Sequence, residues 1–411
     1  MDNELNKQLS FIEELNIIQS KPEPPKLRYY QTESVDSGVY SLKHQNKPEV
    51  IVLPSGSGKS LVVANIAGQS NGSTIVFQPN IEILQQNYGK MKMYYPDIDS
   101  SIFSAACKQK VISKITFATI GSVYRRPDDF KHFDNIIIDE CDYGLDGYND
   151  NTMYKQFFKS IGNKKIVGTT ATPFRLYSNS KGCELRMITR TRPRFWHNII
   201  YHAQIKDLAE KGWFVVPEYF SIKGFDVSKV RVNSTGSDYV DESLKSYYKE
   251  ISFDNSLLDV VKRLVNHGRK SILVFTKFVD ESRMLVDELG DIATIVSADM
   301  KTNDRTNTVT DFRNGIIKVV SNVGVLTTGA DFPELDTVVL GRPSRSLRLI
   351  YQMICRGVRP HFNKQNCYVV DVANNLERFP KIENLWLDKD KQGQWAFFDL
   401  QTGNQVTNVY F

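Results

Sequence analysis

Leu53-Pro-Ser-Gly-Ser-Gly-Lys-Ser60 is the stretch on which the reading of this chain turns. The apolar run Val50–Leu53 leads into it, and Leu61-Val-Val-Ala-Asn-Ile66 follows with the look of a buried helix. Strand, small-residue turn and helix, in that order, make a phosphate loop. Small side chains at Ser55, Gly56, Ser57 and Gly58 let the backbone curl until its N–H groups converge, and the helix N-terminus adds a positive dipole. Lys59 then offers a point charge to the β- and γ-phosphates of a nucleotide, and Ser60 a hydroxyl to Mg²⁺. A turn that bound nothing would have no packing use for Lys59. Leu53 stands where the strict G-x-x-x-x-G-K-[ST] pattern begins with glycine.

Further along, Asn135-Ile-Ile-Ile-Asp-Glu-Cys-Asp142 is an apolar strand that ends in three acids. Clustered carboxylates repel one another unless a cation neutralises them. The C-terminal edge of an α/β sheet is also where ligands bind. Asp139 reads as a Mg²⁺ ligand, direct or through water. Glu140 reads as the group that orients or deprotonates an attacking water, because phosphoryl transfer is mainly positioning and charge stabilisation.

Working outward, short β-rich runs alternate with helical patterns. One series is Val50–Leu53, Thr74–Phe77, Ile115–Ala118, Asn135–Ile138 and Lys165–Gly168; the second is Ser271–Phe275, Ala293–Val296, Ile316–Val320, Thr337–Leu340 and Cys367–Val370. Continuous apolar runs of this kind suit buried parallel strands, and strand–helix alternation suits open α/β sheets. Two series predict two α/β lobes with parallel sheets. We place a helix over Leu5–Ile18 and a stiff linker in residues 1–25, lobe one in 26–225, lobe two in 226–380 and a small appendage in 381–411. That appendage is either a β unit of its own or a tail packed on lobe two.

The 411 residues, 41% apolar and 24% charged, describe a globular chain and exclude a disordered or fibrous one. A net charge of +5 permits a polyanionic partner without requiring one. Five scattered cysteines form no C-x-x-C pair and no zinc set, so reduced thiols and no zinc are expected. Met1–Ser10 lacks a secretion signal, and no apolar run approaches the ~20 residues of a membrane span. The expected setting is the cytoplasm of a bacterial or phage-infected cell.

Further strings complete a pattern. Leu27-Arg-Tyr-Tyr-Gln31, Phe77-Gln-Pro-Asn80, Thr116-Phe-Ala-Thr-Ile-Gly121, Asp139-Glu-Cys-Asp142 and Thr170-Ala-Thr172 fall in the first half; Leu273-Val-Phe-Thr276, Thr327-Thr-Gly-Ala-Asp331 and Gln352-Met-Ile-Cys-Arg-Gly-Val-Arg359 fall in the second. In this order, over residues 27 to 371, they resemble the superfamily 2 helicases and translocases, and within them the RadD-like, Ssl2- and UvsW-like group. Two departures stand out: Cys355 where the sixth motif usually has glycine, and Asp142 where histidine is more usual.

The resemblance implies two tandem RecA-like domains with an ATP cleft between them. It makes Gln31 the reader of adenine, Asp331 a ribose contact, Gln352 part of the nucleotide pocket, and Arg356 and Arg359 the arginines that reach the γ-phosphate. With Lys59, Asp139 and Glu140 these are the expected catalytic residues, and ATP and Mg²⁺ the expected cofactors. The expected partner is nucleic acid, DNA rather than RNA, held by its phosphates near Pro79, Thr119–Gly121 and Thr327–Gly329. Recombination or single-strand-binding proteins are conceivable further partners. Arg186, Arg190, Arg192 and Arg194, with Phe195 and Trp196 beside them, suit phosphate contact with base stacking, or a solvated loop. The expected activity is ATP-dependent helicase or translocase action in replication, recombination or repair. The alternatives are an RNA helicase or remodeller, and a DNA-dependent ATPase that moves without separating strands.

Overall fold

The computed structural model describes residues 24–145, 152–179, 182–325, 332–362 and 364–410. The expected helix Leu5–Ile18, the Thr327–Gly329 segment and Asp331 lie outside them.

The first sheet has eight strands: β1 (Glu49–Val52), β2 (Thr74–Gln78), β3 (Ser100–Ser104), β4 (Gln109–Lys110), β5 (Ile115–Thr119), β6 (Asn135–Asp139), β7 (Lys165–Thr170) and β10 (Asn198–His202). Their spatial order is β10-β1-β7-β6-β2-β5-β3-β4, and only β3–β4 is antiparallel. Between β7 and β10 the hairpin β8 (Phe174–Asn179) and β9 (Gly182–Met187) stands off the sheet. A second, wholly parallel sheet of six strands contains β11 (Pro217–Ser221), β12 (Ile272–Thr276), β13 (Ala293–Ser297), β14 (Val319–Val323), β15 (Thr337–Gly341) and β16 (Cys367–Asp371), in the order β11-β16-β15-β12-β14-β13. The fold is therefore α/β with two parallel-stranded lobes. The chain crosses from one sheet to the other between His202 and Pro217, so β11 pairs in the second sheet although it precedes residue 225.

Burial explains the parallel pairing. Every residue of β2, β6 and β12 is buried, so no face of these strands is left for water. Ile316 was expected to open a strand, but it is 64% exposed and β14 begins at Val319.

The last segment forms a hairpin, β17 (Leu385–Lys389) and β18 (Trp395–Asp399). It docks largely on the first lobe, not as a tail on the second. Trp395 Nε1 donates to Asn198 Oδ1 at 3.0 Å, Gln204 makes two hydrogen bonds to the backbone of Leu387 at 2.8 and 3.2 Å, and the rings of Phe174 and Phe397 meet at 5.3 Å. Two bonds tie the turn ahead of it to β11: Tyr219 Oη donates to Glu383 at 2.7 Å and accepts from Ile382 N at 3.3 Å.

Gly168, inside β7, shows how tight the first core is. A β-carbon there would sit 2.6 Å from both Cys141 Sγ and Trp196 Cη2. Gly168→Ala should therefore cost about 1–3 kcal/mol of overpacking, read as a lower denaturant midpoint with an unchanged m-value.

Candidate active site

In the first sheet β1 and β6 both flank β7, so the loop after β1 and the acids at the end of β6 share one edge. The loop turns at Gly56 (φ 92°) and Gly58 (φ 85°), a conformation that costs glycine little. Leu53 is wholly buried and bonded to Thr170 O at 3.0 Å, so it belongs to the core and not to the phosphate-facing turn. Tyr30 Oη and Gln31 Nε2 both donate to Ser57 O, at 2.7 and 2.8 Å, and Arg28 N donates to Gln31 Oε1 at 2.9 Å. Gln31 thus braces the loop against the helix Tyr29–His44. Ser60 lies in the first turn of the helix Lys59–Gln69, half-buried, and no side chain caps that helix.

Lys59 Nζ lies 3.4 Å from Glu140 Oε1. Glu140 itself has φ 49°, left-handed backbone in a non-glycine residue. Its Oε2 is buried without a hydrogen-bond partner, as is Ser57 Oγ. Asp139 is buried, accepting from Thr169 Oγ1 at 2.7 Å, Glu140 N at 3.0 Å and Asn87 Nδ2 at 3.0 Å. Burial and the neighbouring Glu140 charge push its carboxyl up to about 6, against the pull of Lys59 and of its hydrogen bonds. Asn87, on the helix Ile81–Tyr94, carries no motif signal; only packing brings it to the acid.

The second lobe closes over this edge. A β-carbon on Gly56 would lie 3.2 Å from Arg359 Nε, so that guanidinium rests on the phosphate loop. Arg356 is buried near Glu140, whose charge works against the burial that brings the arginine down to about 10. Burial also lowers Arg359 to about 10. Cys355 is buried beside them, its thiol pushed up to about 12 by burial, and occupies the usual glycine position inside the packed core. Gln352 is buried in the helix Leu347–Ile354. The orientation of this helix is set from behind. Asn375 accepts from Ser344 N at 2.9 Å and donates to Arg342 O and to Asp371 at 3.0 Å, and Ser346 caps the helix start through Leu349 N.

These residues fit a nucleotide triphosphate with a cation. The uncapped helix start and the left-handed glycines form a cradle for anions. Beside it, Asp139 and the partnerless Glu140 Oε2 offer carboxylate oxygens to a hard cation, and Ser60 offers a hydroxyl from the first turn of the helix that follows the loop. The first-lobe segments expected to touch nucleic acid, Pro79 and Thr119–Gly121, follow the adjacent strands β2 and β5. The expected aromatic platform is absent at Trp196: this ring is wholly buried in the core, and Phe195 packs on Phe158 at 5.3 Å. Neither is presented for base stacking.

Two family models match the chain, Type III restriction enzyme, res subunit, over residues 24–175 and Helicase conserved C-terminal domain over residues 256–361. IRC3 of Saccharomyces cerevisiae, named as an ATP-dependent helicase, is 25% identical over 88% of this chain and 53% of its own length. The DNA 3'-5' helicase XPB of Mycobacterium tuberculosis is 25% identical over 71% of this chain and 51% of its own length. The chain belongs to superfamily 2 of the helicases and translocases. It spans about half the length of these relatives. Among solved structures, a Type ISP restriction-modification enzyme, LlaBIII bound to DNA, shares the fold at TM-score 0.61 and 16% identity, over 85% of this chain and 28% of that one. Dbp5 of S. cerevisiae bound to RNA and ADP BeF3 does so at 0.58 and 15%, over 88% of each chain. As a superfamily 2 member, the chain shows one further feature that its motifs did not announce. Arg348 Nε meets Asp142 Oδ2 at 2.6 Å across the lobes, and Thr170 Oγ1 donates to the other Asp142 oxygen at 2.9 Å. The acid that stands in for histidine thus joins the Thr-Ala-Thr element to lobe two. Arg348→Met should strand a fully buried carboxylate and cost about 3–5 kcal/mol; Arg348→Met with Asp142→Asn should recover most of that loss in urea unfolding.

Proposed function

We propose that this chain is an ATP-hydrolysing motor that translocates on DNA and can separate strands. The observation that best supports the reading is Arg359 of the second lobe resting on the phosphate loop of the first. In this reading Lys59 holds the β- and γ-phosphates, and Ser60 with Asp139 would hold Mg²⁺, which would supply charge neutralisation for the phosphates. Glu140 orients the attacking water, and its left-handed backbone aims the carboxylate back at Lys59. Arg356 and Arg359 stabilise charge as the γ-phosphate departs; arginines in such roles are worth roughly 10³–10⁵ in rate. Gln31 reads adenine once its amide exchanges Ser57 for the base, with Gln352 in the buried helix of lobe two beside the arginines. Closure on ATP and opening after hydrolysis would shift the lobes and step the chain along phosphates, which carry no sequence information.

DNA is preferred because a relative named as a DNA 3'-5' helicase is 25% identical over 71% of this chain. ATPase rates with no polymer, single-stranded DNA, forked DNA and RNA test the choice, and the expectation is stimulation by DNA. Greater stimulation by RNA would overturn the substrate, not the motor. Lys59→Ala should lower turnover at least a hundredfold with DNA affinity retained; undiminished turnover would remove the loop from the mechanism.

The pH dependence follows from Asp139. Its folded pKa of about 6 lies above the ordinary carboxyl value, so the carboxylate needed for the cation is lost as pH falls through about 6. Turnover at limiting Mg²⁺ should drop below that pH and recover as Mg²⁺ is raised, because the cation competes with the proton. A pH-independent Mg²⁺ requirement between 5 and 7 would contradict Asp139 as a ligand.

A further inference from the structure

The loop Arg186–Arg194 and the C-terminal hairpin together enclose a cavity of about 860 Å³, lined on one side by Arg186, Arg190, Arg192 and Arg194 and on the other by residues that include Gln394 and Tyr410. The sequence marks only its arginine wall; the opposite wall lies some two hundred residues further along the chain. We propose that this cavity is a second nucleic-acid site that grips the phosphodiester backbone outside the inter-lobe cleft. The proposal rests on the motor reading above and extends it.

Charge makes the first argument. Arg186 is paired with Glu184 at 2.7 Å, and Arg190 lies 3.8 Å from Asp390. Arg192 and Arg194 are exposed and make no ion pair among the described residues. The wall therefore carries surplus positive charge at its open rim. Guanidinium forks match phosphate oxygens in shape and donor number.

The lining chemistry makes the second argument. Apart from the Tyr410 ring, the wall is built of arginines, amides, Thr191 and Glu184. Arginines and neutral polar side chains are the groups that contact nucleic-acid phosphates, and the lining holds no aliphatic side chain. Gln392 and Gln394 add neutral amide donors, and Tyr410 is half-exposed at the mouth, where an aromatic face suits an unstacked base.

Rigidity makes the third. The hairpin wall is fixed to lobe one by the Trp395–Asn198 and Gln204–Leu387 hydrogen bonds, and Met187 N donates to Asn408 Oδ1 at 3.0 Å. Backbone contacts made here move with lobe one as a body, so they hold the polymer to one lobe while the cleft opens and closes.

The test uses the full chain, fluorescein-labelled single-stranded and duplex DNA, and matching RNA. Arg192→Gln with Arg194→Gln neutralises the rim; Gln394→Glu, on the opposite wall, adds a repelling charge at a half-exposed position that should not disturb folding. Basal ATPase without polymer should match wild type in both. Anisotropy should show the double variant binding DNA about tenfold more weakly near 0.1 M salt, with the slope of log K against log salt lower by about 2. Gln394→Glu should weaken binding in the same direction, and maximal turnover at saturating DNA should hold. Wild-type affinity and salt slope in both variants, with DNA stimulation intact, would remove the second site and leave the motor standing. A wild-type chain that binds no polynucleotide removes both. A loss seen only on RNA overturns DNA as the occupant.

Discussion

Two carboxylates at the end of one strand, Asp139 buried and Glu140 partly so, impose the arrangement of everything around them. Asp139 and Glu140 cannot both keep their charge in a dry site without compensation. Lys59 supplies part of it from the phosphate loop, and Arg356 approaches from the other lobe. Thr169, Asn87 and the Glu140 amide hold Asp139 with three hydrogen bonds, and even so its carboxyl rises to about 6. The site is thus short of positive charge, a condition suited to a divalent cation. The left-handed backbone at Glu140 is tolerated in the same place, where surrounding packing holds a conformation that the residue would not choose alone.

Much of the second lobe serves to deliver cations to that point. Asp371 is wholly buried and accepts from Ala373 N, Asn375 Nδ2 and Leu376 N. Asn375 then grips the Arg342–Ser346 loop, and Ser346 starts the helix whose end leads into Arg356. A chain of hydrogen bonds anchored on the Asp371 carboxyl therefore aims a guanidinium that is costly to bury. The Arg348–Asp142 pair adds a contact that must break if the lobes part, since its acid belongs to one lobe and its base to the other. That contact links nucleotide-site geometry to lobe separation through Thr170.

The sequence alone determined the parallel lobes, the phosphate loop and the acid cluster. These depend on local order: a short continuous apolar run bounded by turn residues suits a strand buried on both faces, and a lysine after small residues at a helix start has few uses besides binding phosphate. Asp142 and Cys355 were legible as departures, but not what they would touch. β3 and β10 were missed because Ser100-Ser-Ile-Phe-Ser104 and Asn198-Ile-Ile-Tyr-His202 mix polar residues into strands whose pairing comes from neighbours far along the chain. Ile316 deceived in the other direction, an apolar residue left in water ahead of its strand.

Only the tertiary structure decided which distant side chains meet. Asn87 at Asp139, Arg348 at Asp142, and the C-terminal hairpin on lobe one are contacts between elements separated by tens to hundreds of residues, with no periodicity to announce them. It also took Trp196 away from the arginines beside it and placed the ring in the core, because a large apolar surface next to Gly168 is worth more out of water than on a loop. Local chemistry names the groups; packing alone decides which of them share a site.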